Sequence, residues 1–157
     1  MHPTPHTASP TRRQLLGGAA GIAAFVVLRP AGAAVGDLEV AIANYTGHTQ
    51  VRAGRVKLDI AELVDNGNVV PVTVTAESPM TAADHVKSIA IFNEKNPQRD
   101  VARFALGPRS GKASVSTRIR LAATQKLVAI AQMSDGSYWS HTVDVIVTVV
   151  ACIEGEA

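Results

Sequence analysis

Residues 126–150 read KLVAIAQMSDGSYWSHTVDVIVTVV, two apolar runs on either side of Ser134-Asp135-Gly136-Ser137. Ser, Asp and Gly favour tight turns, Gly because it adopts positive φ without steric cost. In the second run Val143, Val145, Val147, Val149 and Ala151 fall on one face, and Asp144, Ile146, Thr148, Val150 and Cys152 on the other. A period of two is the signature of a strand with one face buried. Strands are therefore expected over Lys126–Met133 and Tyr138–Val150, with Tyr138 and Trp139 packing into the core beside the turn.

The same rhythm extends upstream. Ser114–Leu121 turns Ile119 and Leu121 inward and leaves Arg118 and Arg120 on a solvated strand face. Val86–Asn93 and Val101–Leu106 are further strands, bounded by the turn signals Asn96-Pro97, Gly107-Pro108 and Gly111. Val69–Glu77 follows the turn cluster Asp65-Asn66-Gly67-Asn68; Pro71 has no N–H for a ladder, which places this strand at a sheet edge or starts it after the proline. Val56, Leu58 and Ile60 alternate with Arg55, Lys57 and Asp59. Ahead of them, Leu38, Ala41, Ile42 and Tyr45 have helical spacing up to a stop at Gly47, with a polar connection around His48–Gly54. About seven short strands with turns at this spacing predict an all-β, immunoglobulin-like antiparallel β-sandwich with a short N-terminal helix and a mobile C-terminal arm.

The N-terminus has a different character. Arg12-Arg13 precede the Gly/Ala-rich apolar run Leu15–Leu28 and the small-residue site Ala31-Gly32-Ala33, a pattern that resembles a twin-arginine (Tat) signal. The run of 14 residues falls short of the roughly 20 that span a bilayer, so no mature membrane anchor is expected. The expected organisation is a signal at 1–33, a sandwich at 34–150 and an arm at 151–157. Cleavage leaves 124 residues (157 less 33), enough for one domain. It also removes Arg12, Arg13 and Arg29, leaving 12 Lys and Arg (15 less 3) against 13 Asp and Glu. With that balance and no basic run carrying aromatics, nucleic acid is not an expected partner.

Cys152 is the single cysteine of the 157 residues. It cannot form an internal disulfide, and its place five residues from the end marks it as a displayed thiol. No His or Met follows it to complete a copper site, and His48, His85 and His141 stand singly, without metal-ligand spacing. No metal or other cofactor is expected. A nucleophilic cysteine in an enzyme needs a base and an oxyanion site fixed around it, and a terminal arm supplies neither, so catalysis by this chain alone is not expected. Two uses remain: covalent carriage of a substrate between other enzymes, or an interchain disulfide in an interaction protein. Glu154 and Glu156 disfavour the ionised thiol, so its activation is expected from cationic groups in a partner's cleft.

Several segments in order carry a family resemblance: Asn66-Gly67-Asn68-Val69-Val70-Pro71-Val72, Val86–Phe92 with Asn96-Pro97, Val101-Ala102-Arg103-Phe104, Leu106-Gly107-Pro108, Ser116–Ala122 and Ser134-Asp135-Gly136. The chain resembles the SoxY family, sulfur-compound carriers of the periplasmic thiosulfate-oxidising system. The resemblance covers most of residues 37–152. It implies a Tat-exported periplasmic carrier that holds sulfur intermediates on a C-terminal cysteine, here Cys152. It also implies a SoxZ-like partner subunit and three visiting enzymes: a c-type cytochrome that joins thiosulfate to the thiol, a hydrolase that releases sulfate, and a molybdenum–haem sulfane dehydrogenase. The family's cysteine typically sits between glycines, whereas this chain has Val150-Ala151-Cys152-Ile153-Glu154. A variant carrier with a different sulfur substrate stands beside the standard one.

Overall fold

The computed structural model describes residues 36–149. The signal expected at 1–33 and the arm at 151–157, with Cys152, lie outside the described residues.

Helix α1 (Asp37–Thr46) is followed by nine strands: β1 (Val51–Ala53), β2 (Val56–Asp59), β3 (Leu63–Val64), β4 (Val70–Ala76), β5 (Val86–Asn93), β6 (Asp100–Ala105), β7 (Ser114–Ile119), β8 (Gln125–Met133) and β9 (Tyr138–Val147). They form two layers. A six-stranded sheet has the order β1-β9-β8-β5-β6, with β3 also on β9, and a three-stranded sheet has the order β2-β4-β7. Between the layers lie Leu58, Val72 and Val74 from the smaller sheet and Ile89, Ile91, Leu127 and Val145 from the larger. Burying each such side chain contributes roughly 1.5–3 kcal/mol before entropy is counted.

The outer face of the larger sheet carries a second core. α1 lays Leu38, Ala41, Ile42 and Tyr45 over Ala90, Phe92, Val128, Ile130 and Tyr138. This is why β5 and β8 read as nearly continuous apolar runs: both of their faces are covered. Gly47 ends the helix at φ 61, its N–H bonded to the Ala43 carbonyl. Only a residue tolerant of the left-handed region closes a helix in this way.

The all-β sandwich and the short N-terminal helix stand as the sequence reading has them, with three corrections. β1 and β3 are additional strands, the first within the polar connection around His48–Gly54 and the second in a stretch before the Asp65 turn to which the sequence assigns no element. They pair with β9 in parallel, Val51 opposite Tyr138 and Leu63 opposite Ile146, where an all-antiparallel arrangement is expected. Between them the chain crosses to the other sheet as β2, turning at Gly54 (φ 110) and Arg55 (φ 54). Strands of two and three residues hold no detectable period, and pairing direction leaves no mark in composition. The second correction concerns Pro71, which lies in β4, the central strand of the smaller sheet. Its missing N–H is tolerated because β2 pairs only from Thr73 onward, so at Pro71 the strand has β7 on one side and no β2 partner on the other. The third is that β9 ends at Val147 and not Val150.

Candidate functional site

Beyond Val147 the chain leaves the ladder but stays bonded. The amides of Thr148 and Val149 donate to the Val64 and Asp65 carbonyls at 3.0 and 3.2 Å, and the Val149 carbonyl accepts from Gly67 at 2.8 Å. The turn cluster Asp65–Asn68 therefore clasps the last described residue. Three peptide units separate Val149 from Cys152, so covalent geometry alone keeps the two within roughly 10 Å. The surroundings of Val149 are the part of the described structure nearest along the chain to Cys152.

That surroundings is built by a polar hub. Gly67 accepts from the Leu121 amide at 2.8 Å, which joins the clasp to the segment after β7. Asn96 binds the same segment: its Nδ2 donates to the Arg120 carbonyl at 2.8 Å, and its Oδ1 accepts from the Ala122 amide (3.0 Å) and Gln125 Nε2 (2.8 Å). Gln125 Oε1 accepts from the Lys95 amide, and the Asn93 side chain bonds the Gln98 carbonyl and the Asn96 amide. Asn93 and Gln125 are buried and fully engaged, as polar groups removed from water must be. The β5–β6 loop is thereby fastened to the end of the sandwich from which the arm departs. Asn96-Pro97 reads in the sequence only as a turn; the long-range bonds of Asn96 leave no local signal.

Beside the hub lies a cleft of about 340 Å³ lined by Asn93, Asn96, Pro97, Gln98, Asp100, Val101 and Arg120. Arg120 and Arg118 are exposed, as their strand phase predicts, and neither meets an acid within salt-bridge distance among the described residues. Asp100 is paired to Arg103 Nε at 2.5 Å. Around the root, Leu63, Val69, Ile146 and Val149 expose more than half of their surface.

The remaining candidates serve structure. His141 Nδ1 accepts the Leu58 amide at 3.1 Å, linking the two sheets, and His85 Nδ1 lies 3.1 Å from the Thr81 carbonyl. His48 is exposed after the helix stop. Among the described residues no three His, Cys, Asp or Glu side chains are grouped to hold a metal. Trp139 packs against the main core with Arg52 and Arg55 each 5.6 Å from its ring, and Tyr138 lies under α1. Burial pushes the Tyr45 phenol above its ordinary value, against the opposing effect of its hydrogen bond with Ser88. Hydrogen bonds from the Ser137 side chain and backbone hold the Asp135 carboxyl below the usual range and fasten the β8–β9 turn.

Comparison with known proteins gives a consistent result. A family model described as "Sulfur oxidation protein SoxY" matches residues 42–152. The solved structure of the sulfur carrier protein SoxY from Chlorobium limicola f thiosulfatophilum is similar at 33% identity over 71% of this chain and 96% of that one, with a TM-score of 0.61. A superoxide reductase (neelaredoxin) from Ignicoccus hospitalis is similar at 22% identity over 59% of this chain and 78% of that one, with a TM-score of 0.53. At that identity the likeness concerns the sandwich fold alone. Comparison with curated proteins finds no significant match.

Proposed function

The chain belongs to the SoxY family of sulfur oxidation proteins, and on that premise we propose that it is a periplasmic sulfur carrier, not an enzyme, that holds thiosulfate-derived intermediates covalently on Cys152. The observation that carries this reading is the extent of the family match, which runs to residue 152, the position of the single cysteine. The clasped root at Val149 supports it: a thiol tethered to a fixed point reaches a partner's cleft and returns.

The Cys152 thiolate and thiosulfate join through a new sulfur–sulfur bond, and the two electrons released pass to a c-type cytochrome enzyme. Water then cleaves the terminal sulfur–sulfur bond, with sulfate leaving and a persulfide remaining on Cys152. A molybdenum–haem sulfane dehydrogenase then withdraws six electrons from the outer sulfur while three water molecules supply the oxygens of a sulfonate and release their protons, and a second hydrolysis releases sulfate and restores the thiol. A SoxZ-like subunit is the expected partner in the complex, and Tat export as a folded protein the expected route.

Intact-mass analysis of the protein from cells grown on thiosulfate tests the carrier. Adducts of one sulfur atom, or of sulfur plus sulfonate, are expected on Cys152 and absent from Cys152→Ser, whose hydroxyl forms no sulfur–sulfur bond. Bare thiol and interchain disulfide alone would instead make the chain an exported interaction protein.

A further inference from the structure

We propose that Asn66 is a site of spontaneous covalent modification, at which the Gly67 backbone nitrogen displaces the side-chain amide and the isoaspartate that results releases the clasp on Val149. The inference does not depend on the carrier reading. It concerns the turn Asp65-Asn66-Gly67-Asn68 and the bonds that leave it.

Of the five asparagines in the chain, Asn66 alone precedes a glycine. With no Cβ on the next residue, the peptide nitrogen is open to approach by the side-chain carbonyl. Asn66 is exposed, and its Oδ1 accepts from the Asn68 amide and from Asn68 Nδ2, each at 2.9 Å. Two donors aimed at one carbonyl oxygen stabilise the charge that develops there when a nucleophile adds. The electrophile is thus prepared, while the nucleophile is held back. Gly67 is buried, its N–H donates to the Val149 carbonyl at 2.8 Å, and its own carbonyl accepts from the Leu121 amide at 2.8 Å. A peptide nitrogen sheds its proton to attack, and a proton bonded to a carbonyl reaches water only when that bond opens. Opening of the clasp therefore gates the reaction.

The Asp135-Gly136 turn supplies a contrast. Asp135 Oδ1 accepts from the Ser137 amide and hydroxyl in the same manner, at 2.8 and 2.6 Å. Those bonds hold it as a carboxylate, which offers an amide nitrogen no leaving group. The turn shape is shared, and the side-chain amide makes the difference.

The step needs no reactant beyond water. The Gly67 nitrogen bonds Asn66 Cγ, the side-chain nitrogen departs as ammonia with the displaced proton, and a cyclic imide forms. Water opens the imide at either carbonyl. Cleavage at Cγ gives aspartate, cleavage at the main-chain carbonyl gives isoaspartate, and nothing is oxidised or reduced. Isoaspartate inserts a methylene into the main chain ahead of Gly67 and sets a carboxylate beside Asp65. Both clasp bonds of Gly67, to Val149 and to Leu121, depend on the position of that residue, so the lengthened turn lets go of both.

The test uses the full-length protein held in mildly alkaline buffer, with peptide mapping to follow Asn66 and enzymatic methylation to count isoaspartate. Conversion at Asn66 is expected to be slower than in a free peptide of residues 62–71, which has no clasp. Val149→Pro removes the amide that bonds the Asp65 carbonyl, and Thr148→Val removes the hydroxyl on the same oxygen. Each should speed conversion about fivefold, the factor that the net stability of one hydrogen bond represents. Asn68→Ala, which takes one donor from Oδ1, should slow conversion when added to Val149→Pro. Hydrogen exchange of the Gly67 and Leu121 amides should quicken in the isoaspartate fraction and keep the parent rate in Asn66→Asp, which adds the charge without lengthening the chain. Parent conversion as fast as the peptide's, or unchanged conversion in both clasp variants, overturns the gate; unchanged exchange after isoaspartate forms overturns the release. Asn44, exposed on α1, is the internal control. If it converts faster in step with Asn66, the variants have loosened the whole fold and the proposal falls.

Discussion

His141 ties the two sheets together through one side chain. Its Nδ1 takes the Leu58 amide at 3.1 Å, where β2 faces β9 in the interval between β1 and β3. Alanine here leaves a half-buried N–H without its partner, so His141→Ala should cost about 1–2 kcal/mol, read as a lower urea midpoint at unchanged slope. A midpoint equal to the parent's would mean that water replaces the ring without loss. At the scale of single residues the sequence is informative about phase: Ile119 and Leu121 are buried and Arg118 and Arg120 exposed, as alternation requires. It is silent on company. Nothing in the order of residues says that Asn96 bonds Arg120, Ala122 and Gln125, because those contacts form only when the β5–β6 loop and the β7–β8 connection meet. Cys152 is read as a displayed thiol by elimination, an expectation that lies outside the described residues, and its cargo is named through family resemblance alone.

Helix α1 and the β5–β6 loop are the elements whose attachment can be tested. Tyr45 fixes the helix through Ser88 (2.7 Å), the Phe92 and Tyr138 rings and Arg103 over its face at 5.0 Å. Its folded-state pKa is raised, so the neutral phenol is the form the fold favours. Stability from this contact is fully present below the ordinary value of 10.0 and is lost as pH rises through the folded value. Above pH 10, thermal melts of the parent should fall more steeply than those of Tyr45→Phe, which has no proton to lose. Parallel decline of the two would place the alkaline loss elsewhere. The loop depends on Asn96 instead. Asn96→Ala strands the Ala122 amide and Gln125 Nε2 together, so a loss of about 2–3 kcal/mol is expected, with faster hydrogen exchange confined to residues 94–100 and 120–125. Long alternating elements such as β4, β5, β8 and β9 are legible from sequence because half-burial imposes a period. β1 and β3 escape because their order comes from β9, not from any pattern of their own.

For the molecule as a whole, a carrier gains from a rigid body that holds a short tether. The two cores of the described residues draw on elements from Leu38 to Val147, and the hub and clasp reinforce the end of the sandwich at Val149. Such a body is compatible with export after folding, which is what the twin-arginine pattern Arg12-Arg13 ahead of a weakly apolar run implies. A guanidinium pair offers planar, multiply donating recognition that an ammonium lacks at equal charge. Replacing both arginines by lysine should therefore leave the protein folded in the cytoplasm, with its N-terminal segment uncleaved, and should abolish growth on thiosulfate even though Cys152 and the sandwich are unchanged. Fractionation and intact mass read the first two outcomes, and a chimera with a general secretory signal gives the control. If the double-lysine precursor is exported and cleaved at the parent's rate, the arginine pair is not the determinant. If instead it is retained while the general-signal chimera is exported but arrives unfolded or degraded, folding before export is the step on which the carrier depends.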